Sequence, residues 1–354
     1  MNHFKKIAAK LKEKELDAML VTSDPGEFYA MGFHGEGVAL ITADKTWYYT
    51  DSRYIEAANS TITGAEVIMW TTGNSYRKQI GELVKTRGIQ KLGFEEQYMP
   101  VAEYNAWQKA AETEYVPASE LLTELRQVKD ADELAAMREA QRITDEALLE
   151  ILNFIKPGMT ESEVAARLTY IMARKGAERN SFDPIVACGA NGSKPHAVPG
   201  AAVIEKGQFV TMDFGCVVNG YCSDMTRTVA VGQPTDEMKF VYDTVLKAQL
   251  TGIAAAHAGV TGKEIHEAAA KVIADAGYGD YFGHGFGHSL GIEIHEDPRF
   301  STRNEKPIPA GALLSAEPGI YLPGKFGVRI EDVIMLTEGG CIDITHSPKQ
   351  LIVL

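Results

Sequence analysis

The sequence predicts two domains, an α/β domain over residues 1–123 followed by an α+β domain over residues 124–354. The chain has 354 residues, about twice the usual length of one domain. Short apolar runs alternate with helical patterns in the first third of the chain. Longer helical patterns and paired strand patterns follow in the rest, which is typical of an α+β arrangement.

Helical and strand patterns alternate through the first domain. Phe4, Ile7, Leu11 and Leu16 recur at roughly helical spacing. The strand-like runs are DAMLVTS, GVALITAD, TWYYTD, AEVIMW and KLGFEE, and the segment SYRKQIGELVKTRG has a helical pattern. His34 has no partner at a recognisable spacing, so we expect a structural or oligomerising role for this domain.

The second domain is predicted to begin with a long helix. Asp130 is a suitable N-cap for this helix, and the sequence Lys-Pro-Gly at 156–158 is expected to end it. Capping boxes predict the starts of two further helices, at Thr160 with Glu163 and at Thr261 with Glu264.

The composition excludes several classes of partner. A formal net charge of −13, without a run of Lys and Arg, opposes binding to nucleic acid. The four cysteines show no CxxC spacing, which favours reduced thiols. The N-terminus lacks the apolar stretch of a signal peptide, and no segment approaches the roughly 20 apolar residues that span a bilayer. We therefore expect a soluble cytoplasmic protein without a membrane partner.

Two aspartates lie in a predicted β-hairpin, FVTMDFGCVVNGYCSDMTRTVAVG. Asn219 and Gly220 are the favoured pair for a two-residue type I′ turn. With that turn, Asp213 lies opposite Thr226, and Asp224 shares a face with Thr226. The two carboxylates are then diagonal neighbours, roughly 7–8 Å apart at the backbone. Two carboxylates that point inward from so apolar a hairpin need a cation, although solvent-facing aspartates are the alternative.

The stretch FGHGFGHSLGIEIHED contains three of the nine histidines, His284, His288 and His295. A helical zinc site is excluded because glycines and no glutamate separate the first two. A dinucleotide site is disfavoured because no uninterrupted GxGxxG occurs. The residues HSLGIEIHE alternate as in a strand, which would put His288 and His295 on opposite faces. A bend or bulge at Gly291 would bring them together, and an ordinary polar strand residue is the alternative for His295.

Two glutamates lie in apolar strand patterns. Glu317 follows Leu313, Leu314 and Ala316 in LLSAEPGIYL, directly before a Pro-Gly turn. Glu331 lies in GVRIEDVIMLTEGG, which reads as one strand ending in a turn. Lone carboxylates among such residues are uncommon at a surface, so both are predicted to point inward as ligands.

Together these residues resemble the ligand set of the pita-bread metallopeptidases, which include methionine aminopeptidase, aminopeptidase P and prolidase. The resemblance rests on the eleven-residue aspartate spacing, GHxxG, EPG and RxED, with candidate ligands Asp213, Asp224, His288, Glu317 and Glu331. The first domain resembles the N-terminal domain of the creatinase and proline-peptidase branch. The fold expected from this resemblance is a creatinase-type α/β domain followed by an α+β pita-bread catalytic domain.

The resemblance implies two divalent metal ions that activate a water molecule. Asp213 would hold one ion and His288 with Glu317 the other, while Asp224 and Glu331 would bridge both. Oxygen-rich ligation suits Mn²⁺, with Co²⁺ or Zn²⁺ as alternatives. Glu317 would also carry protons between the water and the leaving nitrogen.

The resemblance also assigns candidate residues for the substrate. His196 and His295 match catalytic histidines that face the substrate, and His284 matches a further histidine near it. Arg329 is a further candidate for substrate binding, and because it occurs in both branches of the proline peptidases it does not discriminate between them. Arg299 lies where some prolidases carry an arginine for the proline carboxylate, which favours hydrolysis of Xaa-Pro dipeptides.

Two other functions remain as alternatives. One is an Xaa-Pro aminopeptidase that removes the first residue from X-Pro-Y peptides. The other is a non-catalytic pita-bread binding module. Short proline-containing peptides are the expected substrates, and the resemblance also implies a homodimer.

Overall fold

The computed structural model describes residues 2–354. The chain divides into two compact units, residues 1–126 and 127–354. No helix in the described part of the chain is long and apolar enough to cross a membrane.

The first unit combines a mixed β-sheet with short helices. Its strands are β1 (Ala18–Val21), β2 (Val38–Thr42), β3 (Thr46–Thr50), β4 (Glu66–Met69), β5 (Lys91–Phe94) and β6 (Glu114–Pro117). Its helices are α1 (Phe4–Leu11), α2 (Asp24–Met31), α3 (Ile55–Thr61), α4 (Tyr76–Arg87), α5 (Val101–Ala110) and α6 (Ser119–Gln127). The sheet order is β4-β3-β2-β1-β5-β6, in which β5 runs parallel to both β1 and β6.

The predicted strand runs of this unit contain β1 to β5, and the predicted helical segment contains α4. Helix α1 ends at Leu11, so Leu16 lies beyond the helix, where its N–H donates to the Leu11 carbonyl at 2.9 Å. The α/β class predicted for this part of the chain is confirmed.

The second unit has four long helices: α7 (Ala131–Leu152), α8 (Glu161–Arg174), α9 (Asp236–Ala255) and α10 (Gly262–Asp275). The capping box of Asp130 with Glu133 begins α7, and both predicted capping boxes begin α8 and α10. Helix α7 ends at Leu152, four residues before the Lys-Pro-Gly sequence. Ile155, just after the helix, packs into the same core as the buried residues of α7.

The strands of the second unit form small antiparallel sheets. They are β7 (Arg179–Asn180), β8 (Ile185–Cys188), β9 (Gln208–Phe214), β10 (Cys216–Val218), β11 (Tyr221–Cys222), β12 (Met225–Val231), β13 (Gly287–Ser289), β14 (Glu296–Phe300), β15 (Leu313–Ala316), β16 (Gly319–Leu322), β17 (Phe326–Arg329), β18 (Asp332–Thr337) and β19 (Gly340–Asp343). The sheet orders are β11-β10-β7, β12-β9-β8, β14-β13-β15-β18-β19 and β16-β17.

Two hydrophobic cores lie between these sheets and the helices. One core joins α7 and α8 to β8, β9 and β12, and the other joins α9 and α10 to β15 and β18. We call the strands and helices around each of these two cores a half of the second unit. Hydrogen bonds connect the two halves: the Glu331 N–H donates to the Thr226 carbonyl at 3.1 Å, and the Thr228 hydroxyl donates to the Arg329 carbonyl at 3.0 Å. Several buried polar residues, Thr226, Thr228, Arg329 and Glu331, lie along this junction.

The predicted hairpin register is confirmed. Asp213 lies opposite Thr226 in the antiparallel pair of β9 and β12. Asn219 and Gly220 have φ values of 48° and 77°, as a type I′ turn requires. The ladder is interrupted at Gly215, so Asp224 lies just outside the regular strand.

Of the two interpretations of the residues after Gly287, the single strand is wrong, and the bend at Gly291 that brings His288 and His295 together is confirmed. Strand β13 ends at Ser289, the chain bends through residues 291–295, and β14 returns antiparallel with Arg299 opposite His288. The register of the β13–β14 pair also shifts between His288 and Ser289, before the bend that begins at Gly291. The strand predicted around Glu331 is likewise two strands, β17 and β18, because the chain leaves the ladder at Ile330 and Glu331.

Candidate active site

Five side chains that could bind a metal ion meet where the two halves of the second unit join. Asp213 lies near the end of β9, Asp224 precedes β12, His288 lies in β13, Glu317 follows β15, and Glu331 lies between β17 and β18. His288 Nε2 lies 3.2 Å from Glu317 Oε1 and 3.7 Å from Asp224 Oδ2. Strands distant in sequence thus bring one imidazole and four carboxylates together.

The free oxygens of these carboxylates fit a metal site. Ligand atoms of Asp224, His288 and Glu331 lie within 4.8 Å of one another. Among the described residues, Asp213 Oδ1, Asp224 Oδ1 and Glu331 Oε1 are buried without a hydrogen-bond partner. Buried polar atoms normally have a partner, and a divalent cation would supply it for all three.

The other oxygens of two carboxylates are held by protein donors. Arg329 Nη2 donates to Asp213 Oδ2 at 2.6 Å. The Thr226 hydroxyl donates to Glu331 Oε2 at 2.7 Å and accepts from Arg329 Nε at 3.0 Å. Arg329 therefore orients Asp213 directly and Glu331 through Thr226, which leaves one oxygen of each carboxylate for a ligand.

Ser315 and Ser289 orient the remaining pair. The Ser315 hydroxyl donates to Glu317 Oε1 at 3.0 Å and accepts from the His288 backbone N–H at 3.0 Å. His288 Nδ1 lies 3.1 Å from the Ser289 carbonyl oxygen. If Nδ1 carries the proton of that hydrogen bond, the lone pair of Nε2 faces the carboxylates, as a metal ligand requires.

Burial and mutual repulsion shift the protonation of the cluster. Burial, and then Asp213 and Glu317, raise the pKa of Asp224 well above its usual value. Burial, and then Asp224, raise the pKa of Glu331 well above its usual value, and burial also raises the pKa of Glu317. Burial lowers the pKa of His288 to about 4. A bound divalent cation would favour the ionised carboxylates and the neutral imidazole.

A cavity of about 420 Å³ opens onto this cluster. It is lined by every residue for which the sequence predicts a site role: His196, Asp213, Asp224, His284, His288, His295, Arg299, Glu317, Arg329 and Glu331. Phe182, Ile185 and Ile294 add an apolar wall that the sequence did not predict. The cavity can therefore hold a small ligand with both charged and apolar groups.

The three histidines of FGHGFGHSLGIEIHED lie in one pocket through the bend between β13 and β14. The rings of His288 and His295 lie 4.5 Å apart, centroid to centroid. Partial burial, together with His288 and Arg299, lowers the pKa of His295. His295 and His196 are exposed at the cavity, so both are accessible to a ligand that enters it.

Tyr321 is a functional candidate that the sequence did not predict. Its hydroxyl accepts from Arg329 Nη1 at 2.9 Å and lies 2.9 Å from His284 Nε2. His284 Nδ1 lies 2.8 Å from the Gly285 carbonyl, so Nε2 can accept the proton of the tyrosine hydroxyl. The indication in the sequence was the strand pattern of GIYL. Because side chains alternate along a strand, Tyr321 lies on the same face of β16 as Gly319, two residues before it.

Arg299 lies on β14 and remains half exposed. Its Nε lies 3.5 Å from Asp297 Oδ1, and both side chains are open to solvent. Such an exposed pair contributes little stability, so Arg299 is available to an anionic ligand in the cavity.

Comparison with known proteins identifies both parts of the chain. Residues 135–338 match metallopeptidase family M24, and residues 4–128 match the creatinase/prolidase N-terminal domain. An uncharacterised peptidase of Bacillus subtilis is 45% identical over 341 residues, which cover 96% of each chain.

Two solved structures are also similar over nearly the whole chain. An Xaa-Pro dipeptidase from Bacillus anthracis has a TM-score of 0.95 and 41% identity, covering 99% of each chain. An X-Pro aminopeptidase from Thermotoga maritima has a TM-score of 0.93 and 35% identity, covering 100% of each chain. The creatinase-type and pita-bread fold expected from the sequence is confirmed, and the chain belongs to metallopeptidase family M24.

Proposed function

We propose that this metallopeptidase hydrolyses Xaa-Pro dipeptides with two divalent metal ions. The observation that carries the proposal is the cluster of three buried, partnerless carboxylate oxygens beside His288, at the base of a cavity that includes Arg299. The similarity to the Bacillus anthracis dipeptidase over nearly the whole chain supports the same substrate class.

The metal ions would be held by the five ligands in the roles expected from the sequence. Asp213 would hold one ion, His288 and Glu317 the other, and Asp224 and Glu331 both. When bound, such a pair of ions supplies an activated water and polarises the scissile carbonyl. The donor set of one nitrogen and carboxylate oxygens favours Mn²⁺, with Co²⁺ and Zn²⁺ as alternatives.

The protein side chains would bind the substrate and move the protons. Glu317, oriented by Ser315, would accept the proton of the attacking water and deliver it to the leaving proline nitrogen. His196 and His295 would donate hydrogen bonds to the scissile carbonyl and the oxyanion that forms from it. Arg329 would keep Asp213 in place, and Tyr321 would keep His284 in the uncharged form beside the substrate.

Xaa-Pro bonds suit this kind of site because proline offers no backbone N–H for recognition. The guanidinium of Arg299 would pair with the free carboxylate of proline, which a dipeptide has and an internal X-Pro sequence lacks. An X-Pro aminopeptidase is the second candidate, favoured by the similarity to the Thermotoga maritima structure.

Three further proposals concern the protein around the site. The chain forms a homodimer, as the family resemblance implies. It functions in the cytoplasm, in agreement with four free cysteines, Cys188, Cys216, Cys222 and Cys341. The α/β domain ends near residue 123, and the catalytic domain follows from residue 124.

The test is a comparison of Ala-Pro with Ala-Pro-Ala, using purified protein loaded in turn with Mn²⁺, Co²⁺ or Zn²⁺. We expect higher kcat/KM for Ala-Pro, highest activity with Mn²⁺, and no activity after chelation. Release of alanine from the tripeptide at the higher kcat/KM would select the aminopeptidase instead. Intact peptides with every metal would rule out both functions.

A further inference from the structure

A buried arginine connects the candidate metal site to the C-terminal segment, which we define as residues 346–349. Arg227 lies on β12 and is 1% exposed. Its guanidinium donates to five acceptors: the carbonyls of Thr226 (2.9 Å), Glu331 (2.6 Å), Ser347 (2.8 Å) and Pro348 (2.9 Å), and Asp332 Oδ1 (2.7 Å). All five N–H groups of the arginine are therefore used.

Glu331 depends on these contacts because it lies outside the regular strands. The ladder of β17 ends at Arg329, and that of β18 begins at Asp332. The Glu331 N–H donates to the Thr226 carbonyl at 3.1 Å, and its carbonyl accepts from Arg227 Nη1. Two adjacent residues of β12 thus hold both backbone polar groups of Glu331.

The C-terminal segment is itself held from two helices. Asp145 on α7 accepts from the N–H groups of His346 at 3.0 Å and Ser347 at 2.9 Å. The Tyr242 hydroxyl on α9 donates to the Lys349 carbonyl at 2.8 Å. These hydrogen bonds fix the backbone around Ser347 and Pro348, so the carbonyls of both residues are held in place as acceptors for Arg227.

Asp332 completes the connection beside Glu331. Its Oδ1 accepts from Arg227, and its Oδ2 accepts from Gln249 Nε2 at 2.6 Å and pairs with Lys349 Nζ. Both oxygens of this fully buried carboxylate have partners, in contrast to the carboxylates at the cavity. The network is consequently a closed structural element and does not compete for a metal ion.

We infer that Arg227 is a positioning residue for the metal centre: it ties the Glu331 backbone to the C-terminal segment and so sets where the Glu331 carboxylate lies. This inference rests on the proposed bridging role of Glu331. Metal binding and order in the C-terminal segment are then coupled, because both depend on the same guanidinium. Loss of Arg227 releases the Glu331 carbonyl and leaves Asp332 without one of its charge partners.

The experiment measures Mn²⁺ binding to the full chain by calorimetry and by electron paramagnetic resonance. We expect two bound Mn²⁺ with a spin-coupled signal in the wild type. Arg227→Met preserves a long unbranched side chain and removes all five hydrogen bonds of the guanidinium. The second Mn²⁺ is then expected to bind at least about tenfold more weakly, and the spin-coupled signal is expected to be lost. Mn²⁺ should also slow amide exchange at Ser347 in the wild type and not in this variant.

The matched control is Leu336→Ala, a core substitution on β18 that removes no side-chain hydrogen bond. It should lower the unfolding temperature and retain the coupled signal. If Arg227→Met does not fold, Mn²⁺ affinity, spin coupling and amide exchange are measured on Arg227→Lys instead. The same losses are expected, because an ammonium group cannot make all five contacts.

The outcomes separate this inference from the proposed function. Wild-type affinity and coupling in the arginine variant overturn the positioning role alone, while the metal centre stands. Fewer than two Mn²⁺ bound to the wild type overturn the metal centre first, and the inference with it. Weak second binding in Leu336→Ala as well would show that general destabilisation is the cause and would also overturn the inference.

Discussion

Two hairpins supply much of the candidate active site, and their sequences predicted them with unequal success. The hairpin of β9 and β12 carries Asp213 and has the register that its turn sequence predicts. The hairpin of β13 and β14 carries His288, His295 and Arg299, and its sequence left open the choice between one strand and a bend at Gly291. The difference shows when local sequence is sufficient to place a functional side chain.

In the first hairpin, local chemistry decides the structure. Asn219 and Gly220 tolerate positive φ, and a two-residue turn leaves one register for the strands beside it. Glu178 accepts from both turn N–H groups, at 2.7 and 3.2 Å, and so stabilises a turn that the sequence already favours.

In the second hairpin, partners distant in sequence decide the structure. The Gly291 carbonyl accepts from the Cys222 N–H at 2.7 Å. A Cβ at Gly291 would lie 2.8 Å from Lys129 Nζ and 2.8 Å from Glu296 Oε1, which form a buried ion pair. The bend that brings His288 and His295 together is thus determined by tertiary packing around a glycine.

The largest predicted effect comes from Asp224→Ala, in the first hairpin between the turn and β12. We expect a loss of about 10²–10³-fold in kcat/KM for Ala-Pro, because the substitution removes a proposed bridging ligand. The metal-free variant should be at least as stable as the wild type, since a buried carboxylate without a full set of partners is gone. Calorimetry with Mn²⁺ and peptide assays measure both effects.

The exposed Asp236→Ala is the matched control and should change neither property. Undiminished turnover by Asp224→Ala, or two Mn²⁺ ions bound at wild-type affinity, would refute the bridging role of Asp224.

Arg299→Ala tests the substrate role of the second hairpin. We expect kcat/KM for Ala-Pro to fall about ten- to hundredfold, as for a lost hydrogen bond between charged groups, with a smaller change for Ala-Pro-Ala. Arg303→Ala, four residues along in an exposed position, should leave both values unchanged. Equal losses on the two substrates would remove the basis for preferring the dipeptidase.

Gly291→Ala should disturb the second hairpin through packing. The new methyl group meets Lys129 and Glu296, so we expect about 1–3 kcal/mol less stability and a lower kcat as His288 and His295 move. Urea denaturation and kinetics at saturating Ala-Pro measure the two effects. Wild-type values for both would contradict the assignment of this bend to tertiary packing.

Gly220→Ala should have the smallest effect, because it strains only the turn of the first hairpin. An alanine at φ 77° is expected to cost about 1 kcal/mol of stability and to leave kcat/KM unchanged. A large loss of activity would mean that the turn does more than set the register. The two glycine variants together compare a locally determined hairpin with one determined by packing.

The sequence alone determined the fold class, the register of the first hairpin and the starts of the three helices that begin at predicted caps. These features depend on short-range rules: apolar periodicity, capping boxes and the Asn-Gly turn act within a few residues. The family resemblance added the idea that Asp213, His288 and Glu331 share one site, although they lie far apart in sequence.

Only the tertiary structure decided between one strand and a bend at Gly291, and only it showed the break before Asp332 and the contacts of Thr226 and Tyr321. Each depends on hydrogen bonds or contacts between residues more than a few positions apart, such as Thr226 with Glu331 and Tyr321 with His284. The same holds for Arg227, which reads in sequence as a strand residue and has five acceptors in the fold. Long-range partners become visible only when the strands that carry them are placed side by side.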